Sequence, residues 1–227
     1  SLSHYSEPVA GELNLSAHGF NPSGETLETI GLNLQGIPVV ISGDQVSGVS
    51  IDDAEKYSEY LVVLKRFAKV LKPFWLKTMP RIGQNTVPDL MTFGHLGLNL
   101  RMLGKKDMGE FMRVATLPAR DLMDENFDND ILKAVLSWDG LVGSEMAPRS
   151  PNATVLNMLY RMSGKDHGAH SLPEGGIESL INALKMAAVS AGAEIQTNTS
   201  VSRIIVDGDE KGLKATGVEL ADGRKIS

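Results

Sequence analysis

Two consecutive glycines, Gly175 and Gly176, stand where a helical pattern begins in the segment Pro173-Glu-Gly-Gly-Ile177. Backbone N–H groups at a helix N-terminus attract anions, so this turn could bring the main chain close to a phosphate or to another part of a cofactor. Glu174 opposes such binding because it adds a negative charge to the same turn. The alternative is a tight turn that uses glycine only for its positive φ.

The histidines of the chain give little support for a metal site. His167 and His170 are three residues apart, but the glycine between them indicates a loop, and in the few positions that follow, Glu174 is the only further candidate ligand. A structural zinc site normally needs four ligands. We therefore predict no metal. No nucleophile–base pair or carboxylate pair can be drawn from residue spacing either, so no catalytic residue is assigned.

Arg149 is a further candidate because it lies in a loop between two predicted helices. Its guanidinium could orient a substrate or a cofactor. It could equally cap the preceding helix, or pair with an acid such as Asp139 or Glu145. The sequence leaves these alternatives open.

Lysines follow one edge of an apolar helical stripe at Lys65, Lys69 and Lys72, close to Trp75. A basic amphipathic helix with aromatic residues can lie on an anionic membrane surface, so these four residues predict a peripheral membrane contact. The alternative is a helix that faces the core, with lysine stems covering apolar surface and ammonium groups in water.

Helices are expected to dominate the middle of the chain. The longest begins at Asp52-Asp53, which supply an N-cap and first-turn acids, and ends at Pro73. Its apolar stripe recurs at intervals of three and four residues: Tyr57, Leu61, Leu64, Ala68, Leu71 and Trp75. Further helices are predicted at about 88–103, 107–115, 129–138 and 153–162. The acidic run 121–130 is typical of a solvated turn.

Strands are predicted near both ends of the chain. Ile30, Leu32 and Leu34 alternate with polar residues, as in a half-buried strand, and strands at 37–41 and 46–51 complete a small meander. Near the other end, strands are predicted at 193–197, 201–206 and 215–220, with a two-residue hairpin turn at Asp222-Gly223. We expect the two groups of strands to be joined in space.

The helix that begins at Ile177 has a regular apolar face, and Gly192 stands where a left-handed residue should end it. The residues of that face are Ile177, Leu180, Ile181, Leu184, Ala188 and Ala191. We expect this face to be buried against the rest of its domain.

Three stretches of the sequence together carry a resemblance to a known family. Any one of them alone would be weak evidence for it. They are Leu132–Gly143 with Ala147–Pro151, then Pro173–Gly176 with its helix, then Gly192–Ile195 with Val201-x-x-Ile204 and Ala215–Gly223. Together they resemble the FAD-dependent phytoene desaturase-like oxidoreductases, within the flavin amine oxidase superfamily. The branch of the pyridine nucleotide-disulfide oxidoreductase domain-containing proteins is the most similar in these stretches.

The resemblance implies a cofactor-binding role for Val201. In this superfamily the corresponding strand lies against the adenine of FAD, and the valine offers its backbone N–H and C=O. The alternative is a core valine. The family's Gly-x-Gly-x-x-Gly turn, which holds the pyrophosphate of FAD, is absent from these 227 residues. We therefore expect an interior piece of a flavoenzyme that binds FAD weakly by itself.

Composition sets outer limits on function. Apolar content of 42% and charged content of 22% are ordinary for a globular protein. A net charge of −6 argues against nucleic acid as a partner, and the absence of cysteine excludes thiol catalysis and disulfides. The longest apolar runs span only a few residues. A soluble, cytoplasmic protein is expected, with the membrane contact described above as peripheral.

The predicted fold class is α+β, as an α/β flavoprotein fragment. Residues 1–170 would form a mostly helical substrate-binding domain with a small mixed or antiparallel sheet, and residues 171–227 an incomplete part of an FAD-binding domain. The resemblance implies a FAD-dependent oxidoreductase of dehydrogenase or desaturase type, acting on a large apolar, carotenoid-like substrate. The alternatives are a flavin-free module that binds an apolar ligand or a partner, and an amine-oxidising relative.

Overall fold

The computed structural model describes residues 5–22, 24–34, 36–75, 77, 83, 86–151, 154–208 and 212–227. Their architecture is α+β, which confirms the predicted class, with two separate three-stranded antiparallel sheets. The helices are α1 (Glu7–Glu12), α2 (Ile51–Leu71), α3 (Val87–Met102), α4 (Lys105–Val114), α5 (Ala119–Asn126), α6 (Asp130–Trp138), α7 (Thr154–Met162) and α8 (Gly176–Ser190). The strands are β1 (Thr29–Gly31), β2 (Val39–Ser42), β3 (Gln45–Ser47), β4 (Val201–Asp207), β5 (Lys214–Leu220) and β6 (Lys225–Ile226).

Helix α2 runs through the main core and packs against α5 and α7. Its N-cap is Ser50, not the predicted Asp52-Asp53, because the Ser50 Oγ accepts a hydrogen bond from the Asp53 N–H at 3.1 Å. The helix gives way to a 3₁₀ turn at Lys72–Phe74, where Pro73 removes a backbone donor. Its buried residues recur at the predicted helical spacing: Tyr57, Tyr60, Leu64, Phe67, Ala68 and Leu71.

Asp53 is a buried carboxylate that joins the start of α2 to the start of α6. Only 2% of the residue is exposed. Its Oδ1 accepts the backbone N–H of Asp128 at 2.9 Å, and its Oδ2 accepts that of Asn129 at 3.1 Å. Two backbone donors thus compensate the cost of burying the charge.

The interpretation of 121–130 as a solvated turn is wrong. Most of this run forms α5, in which Leu122 and Met123 are buried. The acids lie on the opposite side, where Asp124 pairs with Arg120 at 3.1 Å and with Lys133 at 3.1 Å. The apolar face of α5 is only two turns long, so acidic composition concealed its helical period.

The sheet formed by β1, β2 and β3 packs on α6 through Gly31. A Cβ at this glycine would lie 2.5 Å from Cγ2 of Val135 and 2.7 Å from Cγ2 of Ile131. The predicted half-buried face is therefore wrong, because the inward residue is Gly31 and Ile30 is 54% exposed. The expected joining of the two groups of strands is also wrong for the described residues.

Helix α8 ends as predicted, with Gly192 at φ +87°. The N–H of Gly192 donates to Val189 O at 2.9 Å and the N–H of Ala193 to Ala188 O at 3.0 Å, which is a Schellman motif. The predicted strand at 193–197 is wrong, since these exposed residues form no ladder.

The buried side of α8 differs from the predicted one. Ala183 and Ala187 pack against a small second core that contains Leu15 and Phe20, so contacts cross the predicted domain division near residue 170. Of the large apolar residues of the predicted face, Leu180 packs on this core, whereas Ile177, Ile181 and Leu184 are exposed; Ile181, for example, is 59% exposed. No described helix is long and apolar enough to cross a membrane.

Candidate functional site

A partly open cavity of about 110 Å³ lies between α2, α6, α7 and the segment that follows α7. One wall carries the side chains of Tyr57 and Tyr60 from α2, and the opposite wall carries Met158 and Arg161 from α7. Its remaining residues come from β1 and the segment before it, from β2 and the β2–β3 turn, from the end of α6 and from the loop 166–170. The cavity is mostly apolar, with a few charged groups that converge on it.

Arg161 and Asp139 form the polar centre of this cavity. The Nη1 of Arg161 pairs with Oδ1 of Asp139, and the two side chains are 16% and 28% exposed. Burial lowers the pKa of Arg161, but a guanidinium remains protonated at physiological pH. The Nε of the same side chain is buried and has no hydrogen-bond partner in the structure.

His170 approaches the same carboxylate from the loop after α7. Its Nε2 lies 4.0 Å from Oδ1 of Asp139. Burial lowers the pKa of His170, and the neighbouring positive charge of Arg161 lowers it further. The imidazole is therefore kept mainly neutral at neutral pH.

Two tyrosines of α2 face the buried guanidinium from the other wall. Burial, with the negative charge of Asp44 adding to it, raises the pKa of Tyr57 to about 12. Burial raises the pKa of Tyr60 as well. Both phenols are thus neutral at physiological pH, and the Tyr57 hydroxyl donates to the Gly43 carbonyl at 3.1 Å. At the β2–β3 turn, Lys65 pairs with Asp44 at 2.5 Å.

Two glycines allow the main chain to bring these groups together. A Cβ at Gly140, directly after Asp139, would lie 2.6 Å from the Thr154 carbonyl of α7. A Cβ at Gly168 would lie 2.3 Å from the Arg161 carbonyl, and Gly168 has φ +75°. The end of α6 and the loop carrying His170 can therefore pack directly on α7.

This arrangement favours binding over proton transfer. The guanidinium is permanently charged, the phenols titrate far above neutrality, and His170 is held mainly neutral near a carboxylate. None of these groups forms a nucleophile–base pair. The site can orient a ligand by hydrogen bonding between partly buried, mostly apolar walls, where polar contacts are stronger than in water.

The predicted cofactor residue Val201 begins β4, which is an edge strand of the second sheet. It lies opposite Leu220 of β5. The Leu220 N–H donates to the Arg224 carbonyl at 2.8 Å. The carbonyl of the preceding Ser200 accepts the Ala221 N–H at 2.8 Å. The ladder is irregular between Val201 and Arg203, so its pairing does not fix the direction of the Val201 N–H and C=O, and the contact with adenine stays a prediction.

Gly175 and Gly176 both have φ +75°, as a tight turn requires. The N–H of Gly176 donates to the Pro173 carbonyl at 2.9 Å, so it is already used within the turn. Glu174, beside them, accepts a hydrogen bond from Asn21 at 2.8 Å. These glycines lie in a different region from the cavity, and their contact with a cofactor stays a prediction.

The residues predicted to contact a membrane do not share one environment. Lys65 lines the cavity, and Trp75 packs edge-on against Tyr160 with ring centroids 4.7 Å apart. Lys69 and Lys72 are exposed. The membrane contact stays a prediction that depends on these last two.

Arg149 is exposed in a turn, and the acid suggested as its partner, Asp139, pairs with Arg161 instead. Sequence reasoning missed Arg161. A signal for it exists, because Thr154, Met158 and Arg161 lie at positions i, i+4 and i+7 of one helix, on its buried face. Among the described residues, no three histidine, aspartate or glutamate side chains converge as metal ligands would.

Comparison with known families now adds to this geometry. The sequence profile of the family described as flavin containing amine oxidoreductase matches residues 58–227, which is more than half of the chain. The chain therefore belongs to that family. The match confirms the wider superfamily predicted from the motifs, whereas the resemblance to phytoene desaturases stays a prediction.

Two curated relatives are similar over most of the chain. Pyridine nucleotide-disulfide oxidoreductase domain-containing protein 2 of Mus musculus is 25% identical over 210 residues, which cover 85% of this chain and 34% of that protein. The Rattus norvegicus protein of the same name is 25% identical over 202 residues, with the same two shares. The chain thus spans about a third of the length of both relatives.

A shorter similarity extends to bacteria. An uncharacterized protein of Mycobacterium tuberculosis is 35% identical over 81 residues, which cover 35% of this chain and 15% of that protein. No solved structure matches the chain.

Proposed function

We propose that this chain is part of a FAD-dependent oxidoreductase of dehydrogenase or desaturase type that acts on a large apolar substrate. Membership of the flavin containing amine oxidoreductase family over residues 58–227 is the observation that supports it. The pyridine nucleotide-disulfide oxidoreductase domain in the relatives' names points in the same direction.

In this proposal Val201 holds the adenine of FAD through its backbone N–H and C=O. Its position fits that role, because Val201 begins an edge strand and is 53% exposed, so a cofactor can reach its main chain. When bound, the flavin supplies the hydride acceptor, and the protein supplies binding, orientation and exclusion of water. Gly175 and Gly176 are proposed as a second, weaker contact.

The cavity between α2 and α7 would receive one end of the substrate. Its volume of about 110 Å³ is close to that of an engineered cavity that binds benzene, so a carotenoid-like chain would place only its terminus there. The tyrosines and methionines of its walls provide the apolar surface that such a terminus needs.

The placement of the adenine can be tested by removing one backbone donor in the full-length natural protein. Val201→Pro deletes the N–H, and proline is tolerated as the first residue of an edge strand. We expect its FAD affinity, measured by fluorescence titration of the apoprotein, to fall about tenfold. Val201→Thr retains the N–H and should bind FAD normally; equal affinity of all three proteins would remove the assignment.

The flavin-free alternative is decided by an absorption spectrum of the full-length protein purified without added cofactor. Bands at about 370 and 450 nm are expected for a bound flavin. A folded protein that stays colourless after incubation with FAD would favour the module that binds an apolar ligand or a partner. An amine-oxidising relative would show flavin reduction by amines without added oxidant.

A further inference from the structure

We infer that the outward face of α3 is a lipid-binding surface that inserts into the headgroup region of an anionic bilayer. No residue of α3 lines the cavity between α2 and α7, and lipid binding needs no flavin, so this surface goes beyond the proposed function. Three properties of α3 support it: the placement of its polar and apolar residues, the sign of the charge around it, and its length.

The large apolar side chains of α3 lie on the side that faces away from the protein. None of the 16 residues of the helix is buried. Five large apolar residues recur at helical spacing and are each more than half exposed: Val87, Leu90, Met91, Leu98 and Met102. Gly94 lies among them, and a Cβ there would meet nothing within 4 Å. A surface helix normally packs its apolar stripe on the core, so α3 presents outward the kind of face that other helices bury.

The inward side of α3 is the more polar one. Its half-buried residues are Asp89, Thr92, Leu96, Asn99 and Leu100. Only the two leucines among them pack against the main core. Exposed apolar side chains gain nothing from water, but each one stabilises a complex with an apolar medium that it enters. This inverted distribution therefore favours apolar surroundings on the outer side of α3.

The charge around α3 is positive and indicates which apolar surroundings fit. From Tyr60 to Met102 the sequence has one acid, Asp89, in a chain whose net charge is −6. The cations of the same stretch are Lys65, Arg66, Lys69, Lys72, Lys77, Arg81 and Arg101. Lys65 and Arg66 are each paired with an aspartate, whereas Lys69, Lys72 and Arg101 form no ion pair with any described residue. The next helix, α4, carries charges of both signs and is not part of the surface.

This charge favours an anionic bilayer over a second copy of the chain. A second copy would bring the same cations to the same interface, and like charges oppose association. Anionic headgroups attract each of these cations instead. Arg101 lies at one end of the outward face, where its guanidinium can pair with a lipid phosphate.

The length of α3 decides how it would lie in the bilayer. Sixteen helical residues span about 24 Å, less than the roughly 30 Å of the hydrocarbon core. The helix would therefore lie along the surface, with its outward face at the boundary between headgroups and acyl chains.

The test is co-sedimentation of the full-length natural protein with vesicles of phosphatidylcholine and phosphatidylserine. We expect binding, and Met91→Gln with Leu98→Gln should weaken it about tenfold, because two apolar side chains no longer enter the bilayer. Glutamine is a good helix former, so α3 should persist. The matched control, Val62→Gln with Met112→Gln, removes similarly exposed apolar side chains of α2 and α4 and should leave binding unchanged. Absence of binding by the unaltered protein, or equal loss in both variants, would overturn the inference.

A second measurement reports insertion without weakening the surface. Leu98→Trp places an indole on the outward face, and vesicles of lipids brominated in the acyl chains should quench its fluorescence. Val62→Trp, on α2, should gain no quenching. Added salt should reduce the bound fraction by screening the cations, while the protein that remains bound stays quenched. No quenching at position 98, or the same quenching at both positions, would contradict insertion of α3.

Other occupants of the face give different results. A full-length protein that is a dimer without lipid, and that Met91→Gln with Leu98→Gln converts to a monomer in sedimentation, would assign the face to a second copy. Failure to bind vesicles, together with a lower free energy of unfolding of the same variant in urea, would assign it to further chain of the same protein. Either result overturns the inference.

Vesicle binding and flavin content are separate readouts. A colourless protein that binds vesicles through α3 would leave the surface standing while the proposed oxidoreductase function fails. A protein that contains flavin but does not bind vesicles would leave the proposed function standing while the lipid-binding surface fails.

Discussion

The buried carboxylate of Asp53 shows how much one side chain can decide in this fold. It was expected to cap its own helix, yet it accepts two backbone N–H groups from the loop before α6. The sequence has acids at the start of a long helix, and the same pattern would be found if Asp53 only capped that helix. Partners 75 and 76 positions away carry no local signature.

We expect Asp53→Ala to destabilise the protein by about 2–4 kcal/mol, because two buried backbone donors lose a charged acceptor. Asp53→Asn keeps one acceptor oxygen and should cost less. Urea denaturation of the two variants measures the difference. As a control, Asp52→Ala removes an exposed acid whose partner is Lys56, and it should change stability by less than about 1 kcal/mol. Equal effects of Asp52→Ala and Asp53→Ala would show that only the first-turn charge matters.

His170 gives the cavity a pH dependence whose sign follows from its surroundings. Burial lowers its pKa below the ordinary value of 6.5, so between these two values the unfolded state binds more protons than the folded state. Stability from this group is complete above about pH 6.5 and is lost as the pH falls through the folded pKa. We expect His170→Gln to flatten the decline of the melting temperature between about pH 7 and 5. An unchanged slope would indicate that His170 titrates alike in both states.

At the scale of elements, Gly140 sets how closely the end of α6 approaches α7. A Cβ there would lie 2.6 Å from the Thr154 carbonyl and 3.1 Å from Cγ of Met158. Asp139 is the adjacent residue, so the same contact that packs two helices also places the acid beside Arg161. Packing and site geometry are therefore coupled.

Gly140→Ala should destabilise the protein by about 1–3 kcal/mol, since the backbone must move to admit the methyl group. It should also weaken any ligand that binds in the cavity. The control is Gly109→Ala within α4, where a Cβ meets nothing within 4 Å. There alanine should stabilise by about 0.5–1 kcal/mol, because glycine is a poor helix former. Thermal unfolding of both variants makes the comparison; similar changes in both would remove the argument from close approach.

The edge of α2 that carries Lys69 and Lys72 can be tested for the predicted membrane contact. If those ammonium groups bind anionic lipid, Lys69→Glu with Lys72→Glu should reduce co-sedimentation with phosphatidylserine vesicles, and added salt should reduce it further. Lys105→Glu with Lys106→Glu changes the same charge on exposed positions of α4. Co-sedimentation that is absent in the unaltered protein, or equally reduced by both pairs, would favour the solvated-edge alternative.

For the molecule as a whole, the sequence predicts most helices well but predicts buried faces poorly. α2, α6 and α7 lie close to their predicted bounds because long apolar periods are strong local signals. The predicted buried faces of β1 and α8 were wrong for the same physical reason. Hydrophobic periodicity predicts which residues share a face of a helix or strand, but the element packed against it decides which face is buried. In β1 and α8 the buried contact is made by small residues, Gly31 and Ala183.

The cavity was not predicted from the sequence, because its residues too are brought together only by the packing of separate elements. Its polar groups, Asp139, Arg161 and His170, come from two helices and a loop, and none of them is close to another in the sequence. The backbone role of Val201 leaves no trace in side-chain type, since nearly any strand residue can offer an N–H and a C=O. Its adenine contact came from family resemblance and stays a prediction.

The exposed apolar side of α8 leads to a prediction that rests on the proposed function. Ile181 is 59% exposed, and the curated relatives are about three times as long as the part that matches. If this chain is part of a protein of that length whose further chain covers α8, we expect Ile181→Asp to destabilise it by about 2 kcal/mol. Asn182→Asp, one position further, should have little effect. Equal stability of both variants in urea would mean that the side remains open to water.

The bridge between Thr26 and Ser171 has a consequence for the order of folding. It holds His170 against the cavity, and the His170 carbonyl accepts the Leu27 N–H at 2.7 Å. Contacts between residues so distant along the chain form late, because a long loop must close before they contribute. We expect pulse-labelled hydrogen exchange to show the Leu27 and Leu172 amides protected only after those of α2. A molecule caught early in refolding would thus have its helical core and no finished pocket.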